Sequence, residues 1–214
     1  MKTTHPVWLA SYPRSGNTLL RTILWHCFGL QSASIYRNDL GGNQALEAYV
    51  GHLEQGANNS VSFPANSIPL IKTHGLPQAA APAIYVVRDG RAASASLWHF
   101  YNGELALQDV IEGRHRFGTW CNHIDAWQPW SRPSTLLLKY EDLTTELPEV
   151  LKQISHFLQR EIINTAIPDR ETISETDGRW VRKESQWQAV LADEYLQQFN
   201  EINGAMMRKL GYTH

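Results

Sequence analysis

An α/β fold, with a mainly parallel central sheet and helices on both faces, follows from three observations. Short apolar runs of strand length recur at residues 7–10, 68–72, 83–87 and 135–138. Helical patterns separate them, as parallel strands require. Each run ends in small, polar or charged residues: Ser11, Thr73 with His74, Arg88, and Tyr140 to Asp142. Ligands in such sheets gather at the carboxyl ends of the strands, so the topology is expected to bring these four groups together.

The elements follow in order. The run 7–10 is a buried strand, and 16–28 a helix with Leu19, Leu20, Ile23 and Leu24 on one broad face and Gly29 as its stop. Residues 31–66 carry Gly41-Gly42, Gly51, Gly56 and Asn58-Asn59. They read as a mobile insertion with at most a short helix at 47–53, of the kind that contacts substrate. A second strand, 68–72, leads to Thr73, His74 and a Pro/Ala-rich loop. The strand 83–87 is the clearest, and Asp89 is placed to cap a helix at 90–101, closed by Gly103. Residues 100–118 are a second poorly patterned insertion. A helix at 117–130 carries Trp120, Ile124 and Trp127 at helical spacing, a face that reads as core. The strand 135–138, a helix at 148–158 and a final helix at 189–210 complete a single domain spanning 1–214.

Composition narrows the function classes. A net charge of −2 disfavours a broad nucleic-acid surface. Two cysteines, Cys27 and Cys121, suit a reduced, cytoplasmic protein better than a disulfide-stapled one. They also cannot form a four-cysteine zinc site. No stretch is apolar and long enough to span a membrane, and the first residues do not read as a signal peptide. The eight tryptophans are scattered along the chain. Oligomeric state is not legible.

The stretch VWLASYPRSGNTLLRTIL, beginning at Val7, is strand, tight loop and helix in that order. Backbone N–H groups at a helix start, with the helix dipole, favour an anion there. Gly16 allows close approach and Arg14 adds a permanent charge, so the loop Arg14, Ser15, Gly16, Asn17, Thr18 is a cradle for a nucleotide phosphate.

Four segments together resemble the cytosolic-type sulfotransferases, in family order. SYPRSGNT resembles their 5′-phosphosulfate loop, commonly YPKSGTTW. IKTH resembles their KTH segment, YVVRDGRAASAS their 3′-phosphate segment, and LLLKYEDL their YED segment. The resemblance covers roughly residues 7 to 160 and implies a P-loop-NTPase-like fold, of a small bacterial type. It also implies sulfuryl transfer from 3′-phosphoadenosine 5′-phosphosulfate (PAPS) to a hydroxyl or amine of a small-molecule acceptor, without a metal. By the matching motifs, Arg14 sits at the phosphosulfate bridge, while Ser15, Gly16, Asn17 and Thr18 bind the 5′-phosphate. Lys72 and His74 flank the transferred group, with His74 as general base. Arg88 and Ser96 hold the 3′-phosphate and Tyr140 approaches the adenine. Ser96 as a helix-packing residue, and Tyr140 as a strand end, stand as open alternatives.

Three positions depart from the family pattern. Arg14 replaces the usual Lys; an Arg stabilises charge but is a poor proton donor. Leu19 stands where relatives carry an adenine-stacking Trp. The C-terminal motif survives only as Arg182, Lys183 and Trp187, with a shorter spacer and no Gly. Arg182 and Lys183 are kept as 3′-phosphate contacts beside their reading as a solvated charged turn. Two other functions stay open: a P-loop kinase-like phosphoryl transferase, for which no GxxxxGK[ST] is present, and a catalytically inactive nucleotide-binding module.

Overall fold

The computed structural model describes residues 5–78, 80–168, 175 and 187–212. Among these, β1 (Val7–Ser11), β2 (Ser32–Ser34), β3 (Leu70–Thr73), β4 (Ala83–Val87) and β5 (Thr135–Lys139) form one sheet in the order β2-β3-β1-β4-β5. All neighbours are parallel. β1 is central, with Leu9 opposite Lys72 of β3 and Ile84 of β4. The chain builds outward from β1 to both sides, so the crevice at its carboxyl end is the switch point where ligands bind in open α/β sheets.

Period-two alternation sends strand residues to two apolar layers. Leu9, Ile84 and Val86 pack with Leu20 and Ile23 of α1 (Asn17–Phe28). Leu151 and Ile154 of α7 (Leu147–Leu158) join them. Ala10, Tyr85 and Val87 face Trp120 and Trp127 of α5 (Trp120–Trp127) and Phe199 of α8 (Asp193–Lys209). Helices therefore cover both faces, as expected. Each fully buried Leu, Ile or Phe contributes about 1.5–3 kcal/mol, so these two layers carry the fold.

Local chemistry explains the boundaries. Gly29, at φ 65°, ends α1: its N–H bonds the Trp25 carbonyl while that of Leu30 bonds Leu24, a Schellman stop. Asp89 caps α3 (Gly90–Tyr101), accepting from the Arg91 N–H at 2.8 Å. That helix closes at Asn102, in the left-handed region at φ 48°, one residue before the expected Gly103. The helix expected at 117–130 is shorter: Thr119 caps it by accepting from Asn122, and Gln128 at φ 42° stops it.

Other expectations are corrected. The 31–66 insertion contributes the edge strand β2, paired to β3, which no periodicity announces. It also carries a 3₁₀ turn at Asp39–Gly42 and α2 (Gln44–Val50). Asn43 caps α2 and Gly51 ends it, so it lies earlier than the expected 47–53. α4 (Leu107–Ile111) forms inside 100–118. The Tyr-Glu-Asp segment opens a short helix, α6 (Tyr140–Thr145), instead of trailing off a strand. The final helix starts at Asp193, after a 3₁₀ turn over Trp187–Ala189.

Candidate active site at the carboxyl end of the sheet

The loop after β1 has the geometry of an anion cradle. The first bond of the α1 ladder runs from the Leu20 N–H to the Gly16 carbonyl, at 3.0 Å. The N–H groups of Asn17, Thr18 and Leu19 therefore precede the ladder and present the positive end of the helix. Arg14 adopts a left-handed backbone, φ 65°, unusual for a side-chain-bearing residue. The Ser15 hydroxyl is buried and has no hydrogen-bond partner among the described residues. An orphaned buried hydroxyl is costly unless a ligand supplies what it lacks, and a phosphate oxygen would. Gly16 sits at φ 103°, and a Cβ there would come 2.4 Å from Cδ2 of Tyr140. The orphaned hydroxyl fits a phosphate group held close to the backbone, while at position 16 the Tyr140 ring is what a side chain would meet. The Asn17 amide is instead turned inward, donating to the Leu9 carbonyl at 2.9 Å. Its contribution to an anion is thus limited to its backbone.

The second cluster of expected residues closes around Arg14. Its Nε donates to the Ser96 hydroxyl at 3.2 Å, which leaves the hydroxyl hydrogen for another acceptor. Arg88 donates to the Arg14 carbonyl at 3.1 Å, and its guanidinium lies 4.4 Å from the ring centroid of Tyr140. Arg14, Ser96, Arg88 and Tyr140 are thus one connected group. Arg182 and Lys183 lie outside the described residues.

His74 is fixed on three sides. Its Nδ1 lies 2.9 Å from the Ser11 carbonyl; a carbonyl only accepts, so Nδ1 carries the hydrogen and Nε2 keeps its lone pair. Its backbone N–H donates to the Tyr36 hydroxyl at 2.9 Å, and its carbonyl accepts from Nε2 of His123 at 3.0 Å. The Trp127 indole N–H holds the next carbonyl, that of Gly75. Burial, reinforced by the Lys72 ammonium, pushes the His74 pKa well below 6.5, so the ring is neutral at neutral pH.

Lys72 is not an open cation. It is buried and its Nζ lies 2.6 Å from Asp39 Oδ1, while Arg21 binds the other carboxylate oxygen at 2.7 Å. Arg21 also donates to the Ser32 hydroxyl at 2.8 Å and to His52 Nδ1 at 2.7 Å. Burial pushes the Asp39 carboxyl up, but Lys72 and Arg21 outweigh it and hold the group at about 2. Sequence reasoning missed Asp39 and His123, and it read Tyr36 only as an aromatic on the acceptor side. One signal was present: Arg21 falls among Leu20, Ile23 and Leu24 on the apolar face of α1, and an arginine buried there demands a carboxylate.

An aromatic wall connects the two halves. From His74 it runs to Phe117 at 6.0 Å between centroids, then to His115 and Tyr101, and through Phe100 to the Arg14 guanidinium at 5.4 Å. Tyr36 stacks on the other side of His74, at 5.7 Å. Exposed Ile35 and Leu76 adjoin Tyr36 and Gly75 in the chain. Tyr49, another aromatic of the insertion, packs instead on Leu40, Leu46 and Val50.

The sulfotransferase domain family matches residues 4–211. The chain belongs to that family. Human sulfotransferase 1E1 is 26% identical over 176 residues, covering 71% of this chain and 58% of the relative. Human sulfotransferase 2B1 is 26% identical over 175 residues, covering 75% and 48%. The sulfotransferase domain described here thus spans about half the length of these curated relatives. Retinol dehydratase, solved with retinol and PAP (adenosine 3′,5′-bisphosphate), superposes with a TM-score of 0.67 at 18% identity, over 98% of this chain and 83% of that one. Mouse sulfotransferase SULT7A1, solved with PAP, gives 0.61 at 18% identity, over 96% and 85%. The fold of this sulfotransferase domain is accordingly the P-loop-NTPase-like one.

Buried His123 and half-buried His52 make stability acid-sensitive. Burial lowers His123 to about 4, and burial with the nearby Arg21 lowers His52 to about 4, from an ordinary 6.5. Between these values the unfolded chain binds protons that the folded chain refuses, so stability falls as pH falls through that window. Thermal melts are expected to show Tm decreasing steadily from pH 7 to pH 4.5. A flat Tm over this range would contradict the assigned burial.

Proposed function

We propose that this sulfotransferase domain transfers a sulfuryl group from PAPS to a hydroxyl or amine of a small-molecule acceptor, with His74 as the general base. The observation that carries this reading is the hydrogen bond from His74 Nδ1 to the carbonyl of Ser11, the last residue before the phosphate loop. It ties a neutral imidazole, with Nε2 able to accept a proton, to the edge of the anion cradle.

When bound, the donor supplies the sulfuryl group and the 3′,5′-bisphosphate that departs. The chain's residues do the rest. Ser15, the Gly16 backbone and the N–H groups of Asn17 and Thr18 hold the 5′-phosphate. Ser96 and Arg88 meet the 3′-phosphate beside Tyr140, with Arg182 and Lys183 as further contacts. Arg14 stays protonated and stabilises charge on the leaving oxygen, and Lys72 adds its ammonium from the other side. His74 Nε2 removes the acceptor proton as the acceptor atom forms its bond to sulfur. The segments 31–66 and 100–118 supply the acceptor side, through Tyr36 and through the wall from Tyr101 to Phe117. Free thiols at Cys27 and Cys121 suit the cytoplasmic location read from composition.

The test is incubation of the protein with PAPS, EDTA and a panel of phenols, alcohols and amines, with products followed by mass spectrometry. Sulfated product at an undiminished rate in EDTA is expected. Magnesium-dependent ATP turnover without sulfation would replace this reading with phosphoryl transfer. Tight PAP binding with no turnover across the panel would indicate an inactive nucleotide-binding module.

A further inference from the structure

Two arginines, Arg114 and Arg116, lie in the loop that leads into the aromatic wall, and they are treated differently. Arg114 is neutralised: its guanidinium pairs with Asp109 at 2.6 Å and also with Glu112. Arg116, two residues on, has no carboxylate partner among the described residues. Its guanidinium lies 4.4 Å from the Phe117 ring centroid and 5.2 Å from that of Tyr36. Both rings are the ones that contact His74, Tyr36 by stacking at 5.7 Å and Phe117 edge-on at 6.0 Å.

A guanidinium resting on aromatic faces keeps its N–H edge available, because cation–π contact uses the face and not the edge. The other cations near His74 are already engaged. Lys72 is paired to Asp39, and Arg14 donates to Ser96. Arg116 therefore brings an exposed positive charge to the rim of the site, one aromatic residue away from the base.

We propose that Arg116 recognises an anionic oxygen group on the acceptor, so that the preferred substrates are ring-bearing hydroxyl compounds that also carry a carboxylate. This rests on the sulfotransferase reading above. The acceptor's ring would lie against Tyr36 and Phe117, its hydroxyl toward His74, and its carboxylate on the Arg116 fork.

The experiment compares matched pairs, 4-hydroxyphenylacetate against its methyl ester and 4-hydroxybenzoate against its methyl ester. It uses the wild-type chain, Arg116→Gln and Arg116→Lys. Turnover is measured at saturating PAPS, and binding separately in the presence of PAP. The wild type is expected to prefer each acid over its ester by about fivefold or more in kcat/KM, between the values of an exposed ion pair and a charge-assisted hydrogen bond. Arg116→Gln is expected to abolish the preference by lowering kcat/KM for the acid about fivefold more than for the ester, and Arg116→Lys to restore part of it. Equal or better use of the esters by the wild type, or equal loss on acid and ester in Arg116→Gln, overturns the inference. So does failure of the acids to bind. Binding that favours the acids through Arg116, with no sulfation of either, supports the anion site and counts against sulfuryl transfer instead.

Discussion

Replacing Asp39 with Ala is expected to destabilise the protein by about 3–5 kcal/mol, the cost of breaking a buried ion pair from one side. Its side chain is 3% exposed and binds two cations at once, Lys72 at 2.6 Å and Arg21 at 2.7 Å. Removing it takes the shared carboxylate away from two buried positive charges. Arg21 cannot shed its proton, whereas Lys72 can, and burial already lowers the Lys72 pKa. With its folded-state pKa depressed further, Lys72 refuses a proton that the unfolded chain binds, so the variant gains stability as pH rises. The deficit relative to wild type is therefore expected to be smaller at pH 9 than at pH 7, by urea unfolding. Adding Lys72→Met to Asp39→Ala should recover part of the loss, since the two sites couple. A deficit under 1 kcal/mol at pH 7, or one indifferent to pH, would show that the triad is not a closed electrostatic unit.

The second large effect belongs to His74. As the base of the proposed reaction, it is expected to account for about 10²–10⁴ of the rate, so His74→Ala should retain a small residual turnover supported by Arg14, Lys72 and positioning. PAP affinity, read by calorimetry, should be unchanged, because the phosphate contacts proposed above lie on the loop and on Arg88. The pH profile gives an independent check. Burial and Lys72 keep the imidazole neutral well below pH 6.5, so kcat/KM should stay level from pH 8 to pH 6.5 and fall only at lower pH. Near-normal sulfation by His74→Ala, or an acid limb centred above 6.5, would remove the ring from this role.

The parts of the molecule legible in the sequence are those whose signals are local. β1 and β4 are continuous apolar runs, α3 and α7 open on Asp89 and Pro148, and α1 ends on Gly29. Each is decided within a few residues. The placing of the 14–18 loop, His74 and Arg88 near one another was legible because a parallel sheet sets the carboxyl ends of its strands along one side. β2 was not. It is three small residues, Ser-Ala-Ser, buried by pairing with β3 and by the hydrogen bond from Arg21 to Ser32, neither of which leaves a period in the sequence. Asp39 was hidden for the same reason: its partners come from α1 and β3, and its own surroundings are a glycine turn. Tyr36 and His123, which hold the His74 backbone, likewise act across the fold.

The meeting of Gly16 and Tyr140 has an evolutionary consequence. Position 16 is constrained twice, by a positive φ that disfavours any side chain and by a tyrosine ring where a Cβ would go. Position 140 carries no such backbone requirement, only side-chain contacts with Gly16 and with the Arg88 guanidinium. A smaller residue at 140 would remove the steric conflict, yet the backbone at 16 would still require glycine. Mutational drift can therefore pass through 140 without disturbing 16, while the reverse path is closed. In a lineage of such chains the aromatic cover over the loop can change identity while the turn beneath it stays a glycine.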